Sequence, residues 1–288
     1  MKNSRSSTLV ALAFLGPFLA MFAIFMAYPL AETLWLSLHR GGLIGGLEFN
    51  GLNSYFDAFH DRAFVRAMLF TITYVVLIIP TVLLISLLLA LLVTKSWVRG
   101  ANAFRALLFL PNLMPMATLA VLWTFMVHPQ IGLINMGFKS LGLVPPVWRG
   151  SASAATASIV LVELWRGIGF YMITFMAGIV AIPRELYEAA KMDGATDFQQ
   201  FMFVTLPNLR KTIFFCVVIA TIFNLQVFDS IFVVTGGGPA GATESVAWYI
   251  FSNAFRYDQI GRASAMATLL FIAIGALTFV QFRLFRKM

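Results

Sequence analysis

Apolar stretches separated by short charged segments recur along the chain, and most reach the ~20 residues of helix that cross a ~30 Å bilayer core. The pattern predicts six membrane spans, at about residues 9–38, 67–94, 106–127, 156–181, 212–235 and 264–282. The second is the clearest, with no charge from Ala67 to Thr94. The run from Thr8 to Ala31 follows Lys2 and Arg5 as a secretory signal would. It is longer than a signal's apolar core of about 7–15 residues, so it reads as an uncleaved first span. Two segments depart from the pattern. The stretch from His39 to Arg66 mixes glycine, asparagine and acids, as a small cap or a connecting loop would. The stretch from Pro183 to Lys211 alternates acids, bases and apolar residues at helical spacing. No internal repeat or low-complexity tract interrupts the chain.

Composition agrees with lipid as the main solvent. Of 288 residues 60% are hydrophobic and 11% charged, against about 25% charged in a soluble domain. The expected fold is therefore an all-α membrane protein, with residues 1–288 forming one transmembrane domain and no large soluble part. A net charge of +8 does not require a nucleic-acid partner, because membrane proteins collect Lys and Arg in their cytoplasmic loops. Placing both termini inside puts 12 of the 20 basic residues on that side. The short loop from Lys95 to Arg105, with three bases and no acid, carries most weight. The single cysteine, Cys216, excludes an intrachain disulfide and reads as a buried filler.

Within the segment 183–207, a helix over Glu185–Met192 places Leu186, Ala189 and Ala190 on one side. Asp193-Gly194 supplies its stop, because glycine takes the left-handed conformation that ends helices. Thr196 then caps a second short helix through Phe203, which Pro207 closes. Such a pair lying along the membrane presents a small-residue face that a partner can approach closely. On these residues alone, a connecting loop folded under the spans fits equally.

Glu188-Ala189-Ala190, then Asp193-Gly194-Ala195, then Leu206-Pro207 resembles the EAA motif of permease subunits of binding-protein-dependent ABC importers. Similarity to the carbohydrate importers among them extends along nearly the whole chain. It runs through Tyr28-Pro29, Gly51-Leu52, Arg105 to Pro111, Gly132-Leu133-Ile134-Asn135, Trp165 before Ala177-Gly178, and Thr235-Gly236-Gly237-Gly238-Pro239. One departure is Gly169, where such permeases often carry proline. The resemblance implies a type I importer bundle of six helices in the bacterial inner membrane, whose EAA segment is a cytoplasmic coupling helix. It also implies a second permease subunit forming a heterodimer, two ATPase subunits that bind ATP and Mg, and an external solute-binding protein delivering a sugar or related polyol. The chain itself has no cofactor, metal site or catalytic constellation to offer. It lacks a G-x-x-x-x-G-K-[ST] loop and a H-E-x-x-H motif, and His39, His60 and His128 are isolated.

Ionisable residues at membrane depth normally face a bundle interior or a cavity. Glu163 and Arg166 sit three apart on the fourth span, beside Gly167, which opens room for a ligand or a helix. They read either as an ion pair locking that span or as pathway lining; in the permeases this chain resembles, the stretch around the matching tryptophan contributes sugar contacts. On the fifth span Asn224, Gln226 and Asp229 point in several directions, and Gln226, Phe228 and Asp229 suit a hydroxyl-rich ligand. Arg166's planar fork also matches a phosphate, sulfonate or carboxylate, which predicts a substrate with an anionic group. The rival reading is an ion-coupled secondary transporter protonated at Glu163 or Asp229.

Overall fold

The computed structural model describes residues 14–94 and 100–286. Lys2, Arg5, Lys95, Arg99, Lys287 and the first residues of the first expected span lie outside them, so two of the three bases in the loop that favoured an inside N-terminus are among the parts not described. Most of the described residues are helical. Among the described residues, four helices are long and apolar enough to cross a membrane: α1 (Phe14–Leu36), α3 (Arg62–Thr94), α7 (Ala152–Val180) and α13 (Ile260–Arg286). Two bent pairs raise the number to six if each is one span: α4 (Ala101–Leu113) with α5 (Met116–Met126), and α9 (Asp197–Asn208) with α10 (Arg210–Leu225). Shorter helices are α2 (Asn53–His60), α6 (Leu133–Ser140), α8 (Arg184–Met192), α11 (Asp229–Val234) and α12 (Val246–Phe251).

Two expected spans and one expected helix end differ in detail. The third turns through 107° between α4 and α5. Pro115 is the cause, because its ring excludes the preceding residue from the helical region, and Met114 is extended at φ −85°, ψ 142°. The fifth, expected unbroken over 212–235, ends at Leu225 and resumes at Asp229. No proline or glycine marks this break. Its freed Val227 carbonyl accepts a hydrogen bond from Ser245 Oγ at 2.6 Å, and non-helical backbone at membrane depth persists where protein satisfies it in this way. Pro207, expected to close the helix after Thr196, does not: α9 continues through it to Asn208.

The passage through Pro207 uses a π turn. Over Phe201–Thr205 the hydrogen bonds lengthen, so that Leu206 N–H reaches Phe201 O, five residues back. Proline follows at once, where its missing N–H and bulky ring would break a regular helix. The same device precedes Pro29 in α1, where Tyr28 N–H bonds to Ala23 O after the π turn Ala23–Ala27.

The chain divides into two compact units. One gathers residues 14–64 with Tyr249–Ala273. Here the stretch after α1 is neither a bare loop nor helical throughout. Strands β1 (His39–Gly42) and β2 (Gly46–Phe49) pair antiparallel, with His39 opposite Phe49 and Arg40 opposite Glu48, and α2 follows. Asp258 holds the hairpin tip by accepting the N–H groups of Leu43 and Ile44 at 2.9 and 3.0 Å. Asp61, just ahead of α3, accepts from Tyr249 Oη and from Arg262 Nη2, the latter at 2.7 Å. Burial pushes the Asp61 carboxyl up, but these donors and the Ala63 N–H outweigh it and hold it below the ordinary carboxylate value.

The other unit holds Val65–Trp248 with the end of α13. Its apolar centre packs Leu119, Ala120 and Trp123 of α5 against Val162 of α7 and Val234 of α11. Trp123 Nε1 donates to Ser158 Oγ at 2.7 Å, so the buried indole leaves no donor unpaired. Gly169 lets α7 lie directly on α4, since a Cβ there would run into Leu108 O and Phe109 Cα. That contact supplies a local reason for glycine at the position where the resembling permeases often carry proline.

Candidate functional site

Within the second unit, α3, α7, the bend between α4 and α5, α10 and the break before α11 surround a cavity of about 540 Å³. That volume falls in the range of about 300–1,000 Å³ typical of small-molecule sites. All six residues expected to line a pathway border it: Glu163, Arg166 and Gly167 from α7, Gln226 and Phe228 from the break, and Asp229 at the start of α11. Hydropathy alone had set them on two separate spans.

The geometry separates the polar groups by how far the chain itself satisfies them. Glu163 Oε1 accepts from Ser230 Oγ at 2.7 Å, tying α7 to α11. Its other oxygen is 4.0 Å from Arg166 Nη1, a loose pair at the outer limit of an ion contact. Arg166 keeps 38% of its side chain exposed, while its Nε is buried without a hydrogen-bond partner. Tyr74, fully buried, donates to Asn224 Oδ1 at 2.9 Å, and Asn224 Nδ2 donates to Ala220 O at 2.8 Å, which fixes the amide's orientation. Gln226 Nε2 turns back to Ile222 O at 3.0 Å. Asp229 stands in the first turn of α11, where an acid complements the positive end of the helix. Gly167 presents room, but to a neighbour as well as to the cavity: a Cβ there would press on Val82 of α3.

The sequence reading missed three contributors. Asn112, a polar residue between Pro111 and Pro115 in an apolar run, lines the cavity, and that setting was a usable signal. Ser230 and Tyr74 act on lining residues from behind, and nothing in the local pattern distinguishes them from packing residues.

The segment 183–207 forms an elbow. Glu185 in the first turn of α8 and Lys191 in the last complement the helix dipole. The helix closes in a Schellman motif: Ala195 N–H bonds to Ala190 O at 2.9 Å and Gly194 N–H to Lys191 O at 3.0 Å, with Gly194 at φ +76°. Thr196 opens α9 with a capping box, its hydroxyl accepting from Gln199 N–H while its own N–H donates to Gln199 Oε1. Tyr187 Oη and Thr205 Oγ1, 2.9 Å apart, brace the two arms. No residue of α8 is buried, and Glu188, Ala189, Asp193 and Gly194 are exposed, with Ala190 and Ala195 half-buried. Nothing lies within 4 Å of the position a Gly194 Cβ would take.

Residues 52–287 match the family described as "Binding-protein-dependent transport system inner membrane component". The chain is 33% identical to the probable ABC transporter permease protein YurN of Bacillus subtilis, over 98% of each chain. It is 32% identical to the trehalose/maltose transport system permease protein MalF of Thermococcus litoralis, over 94% of this chain and 91% of that one. Its fold matches a chain of a bacterial alginate ABC transporter, solved in complex with an alginate pentasaccharide-bound periplasmic protein. The TM-score is 0.87 at 22% identity, covering 98% of this chain and 96% of the other.

Proposed function

The chain belongs to the family of binding-protein-dependent transport system inner membrane components, and from that premise we propose that its cavity passes a sugar or related polyol inward while its elbow receives the driving motion. The observation that carries this reading is the convergence of two carboxylates, a guanidinium, three amides and several aromatic faces on one cavity. Hydroxyl-rich ligands need acceptors, donors and a flat apolar surface together. The charged lining residues are Glu163, Asp229 and Arg166, two acids and one base, so the wall is not organised around an anion alone.

In this reading the chain is a non-catalytic, multi-pass subunit with both termini cytoplasmic. A second permease encloses the pathway with it, and an external binding protein, as the family description implies, delivers the substrate. Two ATPase subunits hold ATP and Mg and dock at the α8–α9 elbow, through Glu188, Ala189, Ala190, Asp193, Gly194 and Ala195. Closure of the ATPases pulls the elbow and switches the permeases between inward-open and outward-open states. Reconstitution of the chain with its cognate subunits in liposomes tests this: uptake should require ATP and the binding protein, with candidate sugars competing. Uptake by the lone chain driven by an ion gradient would overturn it.

A second reading is favoured by one observation, the buried Nε of Arg166 that lacks a partner. A substrate with a phosphate, sulfonate or carboxylate would occupy the fork that Glu163 meets only loosely. On that reading Arg166→Leu depresses uptake of the anionic substrate far more than that of a neutral analogue; equal losses would sink it.

A further inference from the structure

Where α13 leaves the apolar core, a groove between α13 and the start of α10 is lined by Phe214, Phe279, Phe282, Arg283, Phe285 and Arg286. Its walls are preformed. Phe214 stacks on Phe285 with ring centroids 4.0 Å apart and planes 13° apart, and meets Phe282 edge-on at 5.1 Å. Phe279 lies one turn deeper along the same stripe and is 64% exposed. Arg283 and Arg286 occupy the last turn of α13. Among the described residues neither guanidinium has a carboxylate or a hydrogen-bond acceptor, and no acid lines the groove.

Position decides what meets this surface. A 27-residue helix is ~40 Å long at ~1.5 Å per residue, whereas the hydrocarbon core is ~30 Å thick. The charged last turn of α13 therefore reaches headgroup depth, whichever side of the membrane it faces, while Phe279 remains beside the acyl chains. Long basic side chains at such a helix end extend toward the interface, and basic pockets between membrane helices suit anionic headgroups.

We propose that this groove is a binding site for one anionic phospholipid, its phosphate between Arg283 and Arg286 and an acyl chain laid over Phe279 and Phe282. Both parts of the ligand are required by the lining: a soluble anion would leave the aromatic stripe uncovered, and a zwitterionic lipid would leave the two cations uncompensated. The site is separate from the cavity and does not depend on what the cavity carries.

The test uses the assembled importer in nanodiscs of phosphatidylcholine doped with phosphatidylglycerol, with retained lipid read by native mass spectrometry. Phosphatidylglycerol should be retained in preference to phosphatidylcholine, and R283Q/R286Q should lower that preference by roughly tenfold or more while the complex still assembles. F279A should weaken retention of both lipids. Equal retention of the two lipids by the unaltered importer overturns the proposal, and that arm stands even if the double variant fails to assemble. An unchanged preference in R283Q/R286Q also overturns it. So does displacement of phosphatidylglycerol by millimolar inorganic phosphate, which would mark a soluble-anion site.

Discussion

The cavity and the elbow are built on opposite principles. At the cavity the chain satisfies the lining itself: Ser230 donates to Glu163, Tyr74 donates to Asn224, and the carbonyl of Ile222 accepts from the Gln226 amide. At the elbow the backbone is fully organised by the Schellman turn and the capping box, but the side chains are left facing out, Met192 at 88% and Phe203 at 77% exposure. Internal satisfaction holds Glu163, Asn224 and Gln226 in one arrangement before any ligand arrives. The elbow is a rigid backbone frame most of whose side chains face away from the rest of the chain. Damage at the cavity should therefore appear as altered affinity, and damage at the elbow as lost coupling with the fold intact.

The sharpest way to break this contrast is Gly194→Asp. A residue other than glycine at φ +76° costs roughly 1–2 kcal/mol, and the open space around the position means no clash inside the chain. Transport should fall to background while insertion and assembly persist, and ATP hydrolysis should no longer track uptake in proteoliposomes. Gly194→Asn, better tolerated in the left-handed region, should retain more transport; full transport by the Asp variant would remove the elbow's role. Next in size, Gly169→Val should cost roughly 1–3 kcal/mol of packing, read as a lower melting temperature and yield of the complex, because the side chain meets the α4 backbone. A smaller effect is expected from Ser230→Ala, which leaves Glu163 Oε1 without its donor. The transport KM should rise several-fold with the fold and the coupling to ATP unchanged, and a loss of coupling instead would blur the division between the two regions.

The Asp61 cluster supplies the mildest test, as a self-satisfied polar group outside both regions. Its carboxyl titrates below the ordinary value in the folded protein, so its contribution to stability is present above that ordinary value and is lost as pH falls through the lowered one. Melting of the purified complex between about pH 3 and 7 should show Asp61→Asn with lower stability near neutrality and a flatter acid limb, with uptake per folded complex unaltered.

Much of this was legible in the order of residues. Ionisable and amide groups stranded in apolar runs marked the cavity wall, because charge at membrane depth has few places to go. Asp193-Gly194 and Thr196 marked the elbow, because a left-handed stop and a capping hydroxyl are local chemistry. The break at Gln226–Phe228 was not legible, since the groups that make it tolerable, Ser245 above all, are contributed from elsewhere in the chain. Pro115 carried a signal that the surrounding apolar pattern outweighed. Pro207 was misread for the opposite reason: the rule that proline ends helices holds for regular turns, and the turn before it is not regular. The hairpin at Leu43 and Ile44 depends on Asp258, more than two hundred residues away, and no local reading reaches that far.

The widened turn ahead of Pro29 also works as a phase shifter. One surplus residue in a coil of 3.6 per turn retards the side-chain stripe by about 100°, so the halves of α1 before and after it address different quarters of the surrounding medium. That suits a helix with no buried residue in its most apolar stretch, which offers a greasy surface all round in place of a single seam.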